Sequence, residues 1–150
     1  MRVVIQRVSS AGVHIEGETS RLIQRGYLIL LGVEPGDTES DAAWLVEKIL
    51  KLRLFDDEDG LMNLSLTEVN GELLVISQFT LFASTRKGTR PSFHPAAKPE
   101  QAVALYESFV RQMQNTSPLA IKTGTFGAHM RVELVNDGPV TLILDSKSRE

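Results

Sequence analysis

Apolar residues that alternate with polar ones, or run together, predict several β-strands along this chain. The segment 27–33 is almost entirely apolar, as expected of a central strand that is covered on both faces. The segment 73–82 gives the strongest strand signal. The complete set of predicted strands is 2–8, 12–16, 19–24, 27–33, 73–82, 128–135 and 140–144.

Two further segments repeat their apolar residues at helical spacing. The first predicts a helix over 38–53, which begins with a capping-box pattern at Thr38. The second begins at Pro99, a residue suited to the first helical position, and carries an apolar stripe along 102–113. Strands outnumber helices, and most connections are too short for helical crossovers, so the expected class is α+β with mainly antiparallel sheets.

Length and composition favour one domain over residues 1–150. The chain is 42% hydrophobic, which is ample for a single core. It has no cysteine, which excludes disulfides and thiolate chemistry. Its longest apolar run, 27–33, is too short to cross a membrane, and the N-terminus lacks a signal-peptide pattern. We therefore expect a soluble cytoplasmic protein.

The charge distribution is uneven. The net charge is -3, which by itself argues against binding to nucleic acid. The window 73–99, however, contains no acidic residue and does contain Arg86, Lys87, Arg90 and Lys98. Such a loop could hold a few phosphates, although a solvated cationic loop is an equally good interpretation.

The sequence offers weak support for metal or nucleophilic catalysis. His14, His94 and His129 are widely spaced, and no cysteine is present to complete a zinc site, so no metal is expected. Ser77 or Thr80 could act as a nucleophile with a histidine base, but no nucleophile-elbow motif surrounds them. Hydroxyl groups that satisfy the backbone at a strand end are at least as good an explanation.

Three short segments stand out because each places polar, glycine or proline residues beside apolar strands. They are Ser77-Gln78-Phe79-Thr80-Leu81, Gly88-Thr89-Arg90-Pro91-Ser92-Phe93 and Asn136-Asp137-Gly138-Pro139-Val140-Thr141. The last is unusual, since proline cannot donate to a sheet ladder and is normally confined to edges, bulges and turns. A local rule broken between two good strands is where a functional site should be sought.

Together these segments resemble the D-aminoacyl-tRNA deacylases, and the resemblance covers essentially the whole chain. It implies two sheets with two helices packed on one face, assembled as a homodimer. It also implies hydrolysis of the ester that joins a D-amino acid, or glycine, to the 3′ end of tRNA, with no cofactor. In such enzymes a ribose hydroxyl of the RNA helps to activate water, so no protein nucleophile is required.

The resemblance also assigns roles to individual residues. The backbone around Phe79 and Thr80 would bind the oxyanion, with Ser77, Gln78 and the Thr80 hydroxyl lining the pocket. Phe126, Gly127, Ala128 and Met130 would wall the pocket for the terminal adenosine. Arg86, Lys87 and Arg90 are the candidates for contact with the RNA backbone.

Selection against L-amino acids is implied to depend on Gly138 and Pro139. Their peptide bond would be cis, and the pair would project into the partner's site to receive the α-amino group and exclude L side chains. Arg7 would brace the carbonyls of this pair. Two other functions stay open on the residues alone: a non-catalytic RNA-binding dimer, and a small-ester hydrolase with Thr80 or Ser77 as nucleophile.

Overall fold

The computed structural model describes residues 1–149, and its sheet is organised around one long strand, β1 (Arg2–His14). The sequence predicts two strands here, 2–8 and 12–16. They are joined because the small residues between them stay in the ladder, with an irregular register between Val8 and Ser10. The other elements are, in order, β2 (Arg21–Ile23), β3 (Gly26–Gly32), α1 (Glu39–Lys51), β4 (Phe55–Asp56), β5 (Met62–Leu64), β6 (Glu72–Ser77), a 3-10 helix (Phe79–Phe82), α2 (Pro99–Thr116), β7 (Ile121–Thr123) and β8 (Arg131–Asp145).

β1 is the strand that joins the two halves of the main sheet. One of its edges pairs with β3 and then β2, the other pairs with β8, and all three pairings are antiparallel. The pairs β3–β6 and β6–β7 are parallel, because α1 and α2 lie in the two long connections and carry the chain back across the sheet. β4 and β5 form a separate antiparallel hairpin. The predicted α+β class with mainly antiparallel pairing is confirmed.

The two helices pack on one face of this sheet. Buried residues of α1 and α2, such as Leu45 and Phe109, share one core with Ile5, Ile29 and Val75 of the central strands. The alternate strand residues point to the opposite face, where the sheet curls on itself and encloses a second core. That second core consists of Val8, Ala11, Val13, Ile23, Leu28, Leu74 and Ile76.

Both helices begin as the sequence predicts. Thr38 and Asp41 form a capping box at the start of α1, with the Thr38 N–H donating to Asp41 Oδ2 at 2.8 Å. Pro99 occupies the first position of α2. Within residues 1–149, no helix is both long enough and apolar enough to cross a membrane.

Candidate active site

The chain leaves the main sheet directly after Ser77, the last residue of β6. Ser77 pairs with Leu31, and the Gln78 N–H donates to the Leu31 carbonyl at 2.7 Å before the backbone turns away. Phe79–Phe82 then form a 3-10 helix, so the predicted strand 73–82 is wrong beyond Ser77. A segment of four residues is too short to distinguish the two-residue period of a strand from the three-residue period of a 3-10 turn.

The polar side chains after Ser77 interact with each other. The Gln78 amide donates a hydrogen bond to the Thr80 hydroxyl. Within residues 1–149, no histidine hydrogen-bonds to the hydroxyl of Ser77 or Thr80, and the ring of His14 is engaged by Ser20 and Glu133 instead. A hydroxyl needs an adjacent base to become a nucleophile at neutral pH. Neither hydroxyl therefore has the histidine hydrogen bond that would mark it as an activated nucleophile in this part of the chain.

The turn after Ser77 does provide backbone donors. The first N–H groups of a helical segment have no acceptor inside it, and no side chain caps this 3-10 helix. The N–H groups of Phe79 and Thr80 occupy that position. Phe79 also lines a cavity together with Ser77 and Gln78, so these donors lie at the edge of a space that a small molecule could enter.

That cavity has a volume of about 260 Å³ and brings together two of the predicted groups of site residues. Its walls are the end of β6 and the segment that precedes β8, which are about fifty residues apart in the sequence. The lining residues are Leu31, Val33, Ile76, Ser77, Gln78, Phe79, Ala102, Tyr106, Phe126, Gly127, Ala128, His129, Met130 and Val132. Thr80 is joined to this wall through its hydrogen bond with Gln78.

Tyr106 is a lining residue that the sequence identified only as part of the apolar stripe of α2. Its hydroxyl donates to the carbonyl of Val75 at 2.8 Å, and its ring packs edge-to-face on Phe126 with centroids 6.0 Å apart. Burial raises the pKa of Tyr106 to about 12, so the hydroxyl remains a neutral donor at physiological pH. Tyr106 thus fixes the position of Phe126 against the end of β6.

Close packing around Gly124 positions Met130 in the same wall. A Cβ atom at residue 124 would lie 2.5 Å from the Met130 sulfur and 3.1 Å from Ile76 Cδ1. The chain then turns at Gly127, which has a φ of +78° that favours glycine, and the Ala128 N–H donates to the Thr125 carbonyl at 3.1 Å. Glycine at these two positions therefore lets segment 124–130 fold closely against β6.

Gly138 and Pro139 lie in a bulge of β8. Gln6 pairs with Thr141 and Val8 pairs with Asn136, so the four residues 137–140 stand opposite a single residue of β1. The Asn136 side-chain amide closes the base of this bulge by donating to the carbonyls of Arg7 and Val140, at 2.9 and 3.1 Å. The Gly138–Pro139 peptide bond is cis, as the resemblance implies, and both residues are exposed.

Arg7 is the residue opposite the bulge, and its side chain is buried. Its Nε donates to the Asp137 carbonyl at 2.8 Å, and its Nη1 donates to the Leu54 carbonyl at 2.6 Å and to Asp56 Oδ1 at 3.2 Å. The brace thus acts one residue before the Gly-Pro pair, rather than on the carbonyls of that pair as expected. It also ties the bulge to the β4–β5 hairpin.

The bulge and the cavity are far apart within one chain. β8 and the end of β6 are separated by β1 and β3. Across the sheet, Ser77 of β6 is in line with Leu31 of β3 and Val3 of β1, and Arg7 lies four residues further along β1. With ordinary strand spacings, this places the bulge on the order of 20 Å from Ser77. Gly138 and Pro139 therefore do not line their own chain's cavity.

The basic side chains lie on a loop beside the cavity. Arg86, Lys87 and Arg90 are exposed between Ser84 and Ser92, whose backbones form two hydrogen bonds of 2.7 and 2.8 Å. Phe93 comes directly after Ser92 and packs edge-to-face on Phe79, with ring centroids 5.1 Å apart. The contact holds the basic loop next to the end of β6. None of the three cations lines the cavity itself.

In the part of the chain that the structure describes, acidic and histidine side chains do not cluster in a way that suggests a metal centre. Within residues 1–149, no three His, Asp or Glu residues are grouped so that they could hold a metal ion. The segment 56–60, which is rich in acidic residues, forms the turn between β4 and β5. There Asp57 Oδ1 accepts from the backbone N–H groups of Asp59 and Leu61, each at 3.0 Å.

Comparison with known proteins identifies the family. Residues 4–145 match the family described as D-Tyr-tRNA(Tyr) deacylase. The chain belongs to this family. The D-aminoacyl-tRNA deacylase of Bacteroides thetaiotaomicron is 56% identical over 150 residues, which is 100% of both chains. That of Thermosipho africanus is 57% identical over 147 residues, 98% of each chain.

Two solved structures have a similar fold. One, named c-Myc DNA Unwinding Element Binding Protein, has a TM-score of 0.90 at 44% identity, over 97% of this chain and 98% of that one. The other, a probable eukaryotic D-amino acid tRNA deacylase, has a TM-score of 0.78 at 18% identity, over 95% and 97% of the two chains. The family match and the two relatives confirm the family predicted from the three sequence segments.

Proposed function

We propose that this protein hydrolyses the ester bond of D-aminoacyl-tRNA, and of tRNA mischarged with glycine, and releases the amino acid and free tRNA. Membership of the family supports this activity. The observation that carries the proposal is the cavity of about 260 Å³, which unites Ser77, Gln78 and Phe79 with the segment 126–130. Aminoacyl-tRNA is used in the cytoplasm, where we place the protein.

In the proposed reaction the terminal adenosine lies against Phe126, Gly127, Ala128 and Met130, and the ester points towards the end of β6. The ester carbonyl accepts from the backbone N–H groups of Phe79 and Thr80, which stabilise negative charge as it develops on that oxygen. A ribose hydroxyl of the substrate orients the attacking water. The acyl carbon gains the water oxygen, the bond to the ribose oxygen breaks, and a proton passes to that oxygen.

Within residues 1–149, no histidine hydrogen-bonds to Ser77 or Thr80, which favours this mechanism over a protein nucleophile. The Thr80 hydroxyl already accepts from Gln78, which suits a positioning role. Catalysis then consists of holding the ester, the water and the ribose hydroxyl in one geometry, an effect that can supply a large share of a rate enhancement.

We further infer that the active unit is a homodimer in which the Gly138–Pro139 bulge of one subunit completes the cavity of the other. The bulge is exposed and is rigidly braced by Arg7 and Asn136, yet it is remote from its own cavity. A two-fold pair places the same two surfaces together twice, so both sites would be completed at once. The carbonyls of the bulge would receive the α-amino group, and its main chain would exclude L side chains.

Matched D- and L-aminoacyl-tRNA provide the direct test of the activity. We expect rapid release of the D-amino acid and negligible release of the L-amino acid, with free D-amino-acid esters left almost intact. Binding of tRNA without hydrolysis would instead indicate an RNA-binding dimer. Hydrolysis of free esters at a comparable rate would indicate a small-ester hydrolase.

Subunit complementation tests the homodimer. Ala128→Trp should fill the cavity and Gly138→Ala should deform the bulge, so each variant alone should be nearly inactive. After mixing and exchange of subunits, half of the dimers are mixed, and each has one intact cavity facing one intact bulge. Activity should recover to about one quarter of the wild-type value if the bulge acts across the dimer. No recovery, with exchange verified by mass spectrometry, would show that it does not.

A further inference from the structure

A second depression adjoins the candidate active-site cavity. It has a volume of about 550 Å³ and is lined by His14, Ile15, Glu16, His129 and Arg131. His129 is shared between this depression and the active-site cavity, so the two spaces meet at the segment that precedes β8. Both His129 and Arg131 are exposed.

The side chains of Arg131 and His129 in this depression are available to a ligand. Within residues 1–149, Arg131 forms no ion pair or side-chain hydrogen bond, and neither does His129. The nearby Glu133 is engaged by His14, whose Nε2 lies 2.9 Å from Glu133 Oε1. A guanidinium carries five donors in a planar fork that matches the oxygens of a phosphate. Arg131 therefore presents unused donors in the depression next to the cavity.

We propose that Arg131, assisted by His129, binds the phosphodiester that precedes the terminal adenosine of the substrate. The inference rests on the proposed function, which places that adenosine against the segment 126–130. His129 lies in this segment and is shared by the cavity and the second depression, so the phosphate attached to the ribose of that adenosine would reach Arg131 there. Charge-assisted hydrogen bonds from a guanidinium to phosphate are among the strongest polar contacts at an exposed site.

This site differs from the basic loop. The loop that carries Arg86, Lys87 and Arg90 is held beside Phe79 of the cavity by the contact of Phe93. Arg131 instead lines the second depression, which meets the cavity at His129. The loop is placed to meet phosphates more distant from the ester. Arg131 would instead fix the strand at the nucleotide that reacts, and so set how deeply the ester enters the cavity.

Two minimal substrates separate a phosphate contact from an effect on the reaction itself. The D-aminoacyl ester of adenosine has no phosphate, while the D-aminoacylated trinucleotide CCA contains the phosphodiester in question. For Arg131→Gln, we expect the ratio of kcat/KM on the trinucleotide to kcat/KM on the adenosine ester to fall roughly five- to tenfold, through KM. Lys122→Gln removes an exposed cation of β7 that lines a different depression, and this control should leave the ratio unchanged.

Glu16 provides a variant that should change the kcat/KM ratio in the opposite direction. Glu16 lines the same depression and would repel a phosphate, so Glu16→Gln should raise the ratio rather than lower it. With full-length D-aminoacyl-tRNA, Arg131→Gln should also reduce the slope of log binding constant against log salt by about one.

The outcomes are distinguishable. A wild-type protein that hydrolyses neither minimal substrate nor D-aminoacyl-tRNA would overturn the proposed function and this inference together. An active wild type whose ratio and salt slope are unchanged in Arg131→Gln would overturn this inference alone. An equal loss on both minimal substrates would show that Arg131 supports the fold of the wall and does not bind phosphate.

Discussion

The Nε–H of Arg7 donates to the backbone carbonyl of Asp137 across 2.8 Å, and this bond joins the middle of β1 to the bulge that carries Gly138 and Pro139. The guanidinium also donates to the Leu54 carbonyl and to Asp56, so one buried side chain links three segments. The shape of the bulge therefore depends on a residue some 130 positions away in the sequence.

Replacing Arg7 should damage both stability and turnover. Arg7→Gln would leave the buried carbonyl of Leu54 and the partly buried carbonyl of Asp137 without their donor, and we expect a loss of about 2–4 kcal/mol in the free energy of unfolding. Arg7→Lys retains the charge but not the planar fork, so it should lose less stability and still turn over D-substrates poorly. Urea unfolding and D-aminoacyl-tRNA deacylation measure the two effects. Full activity in Arg7→Lys would show that the brace is unimportant for the site.

Gly138→Ala should deform the bulge from within. A Cβ at this position would lie 2.2 Å from the backbone nitrogen of Val140 and 2.9 Å from its Cγ2, so the loop must change shape to accept a methyl group. We expect turnover of D-aminoacyl-tRNA to fall at least tenfold, about 1.4 kcal/mol in activation free energy, while the domain stays folded. Gly36→Ala is the matched control, since a Cβ at residue 36 meets no atom within 4 Å. Equal activity of both variants would contradict a role for the bulge.

Alanine at Ser77 or Thr80 should leave substantial activity. Within residues 1–149, neither hydroxyl is hydrogen-bonded to a histidine, and Thr80 accepts from the Gln78 amide, so we expect each variant to remove a positioning contact rather than a nucleophile. A true nucleophile lost to alanine would cost on the order of 10⁶-fold in a triad enzyme. Single-turnover hydrolysis of D-aminoacyl-tRNA measures the rate of each variant against that of wild type. Replacing the 2′-hydroxyl of the terminal ribose by hydrogen should be far more damaging than either variant.

Asp41 should make stability depend on pH. Burial by itself raises the pKa of Asp41, but hydrogen bonds from the Lys147 side chain, the Thr38 backbone and the Ser146 and Thr38 hydroxyls together hold this pKa well below its usual range. A depressed pKa in the folded state stabilises the protein above the ordinary aspartate pKa, near 3.9, and the effect is lost as the pH falls through the folded value.

Asp41→Asn should therefore destabilise the protein by about 1–2 kcal/mol at pH 7, and the difference from wild type should shrink below about pH 4. Urea unfolding at several pH values measures this difference. Glu47→Gln, which affects only an exposed pair with Lys51, should have a much smaller effect at every pH. If the difference in free energy of unfolding between wild type and Asp41→Asn stayed constant down to pH 3, the pKa of Asp41 would not be the source of the pH dependence.

Salt should weaken tRNA binding only modestly. Arg86, Lys87 and Arg90 offer few phosphate partners on a chain whose net charge is -3. Neutralising all three with glutamine should reduce the slope of log binding constant against log salt by roughly 2–3. Filter binding across a salt series gives the slope. An unchanged slope in the triple variant would place the RNA on another surface.

Several features of the fold could be predicted from the sequence because they depend on neighbours along the chain. The apolar stripes and the capping box located α1 and α2 to within a few residues. The polar, glycine and proline residues of 77–81 and 136–141 marked two places where the sheet is interrupted, and both interruptions are present. Periodicity could not predict the 3-10 helix after Ser77, since four residues fit either period.

Only the tertiary structure decided which of these segments meet. The cavity forms because the crossover through α2 returns the chain parallel to β6, which brings Phe126 and Met130 against Ser77 and Gln78. The pattern along the chain placed Arg7 in a predicted strand and Tyr106 in the apolar stripe of α2, without their partners. Their partners, Asp137 and Val75, lie 130 and 31 residues away. Local pattern reports which face of an element is apolar, whereas these contacts depend on how distant elements pack, and the packing of the whole sheet and both helices sets that geometry.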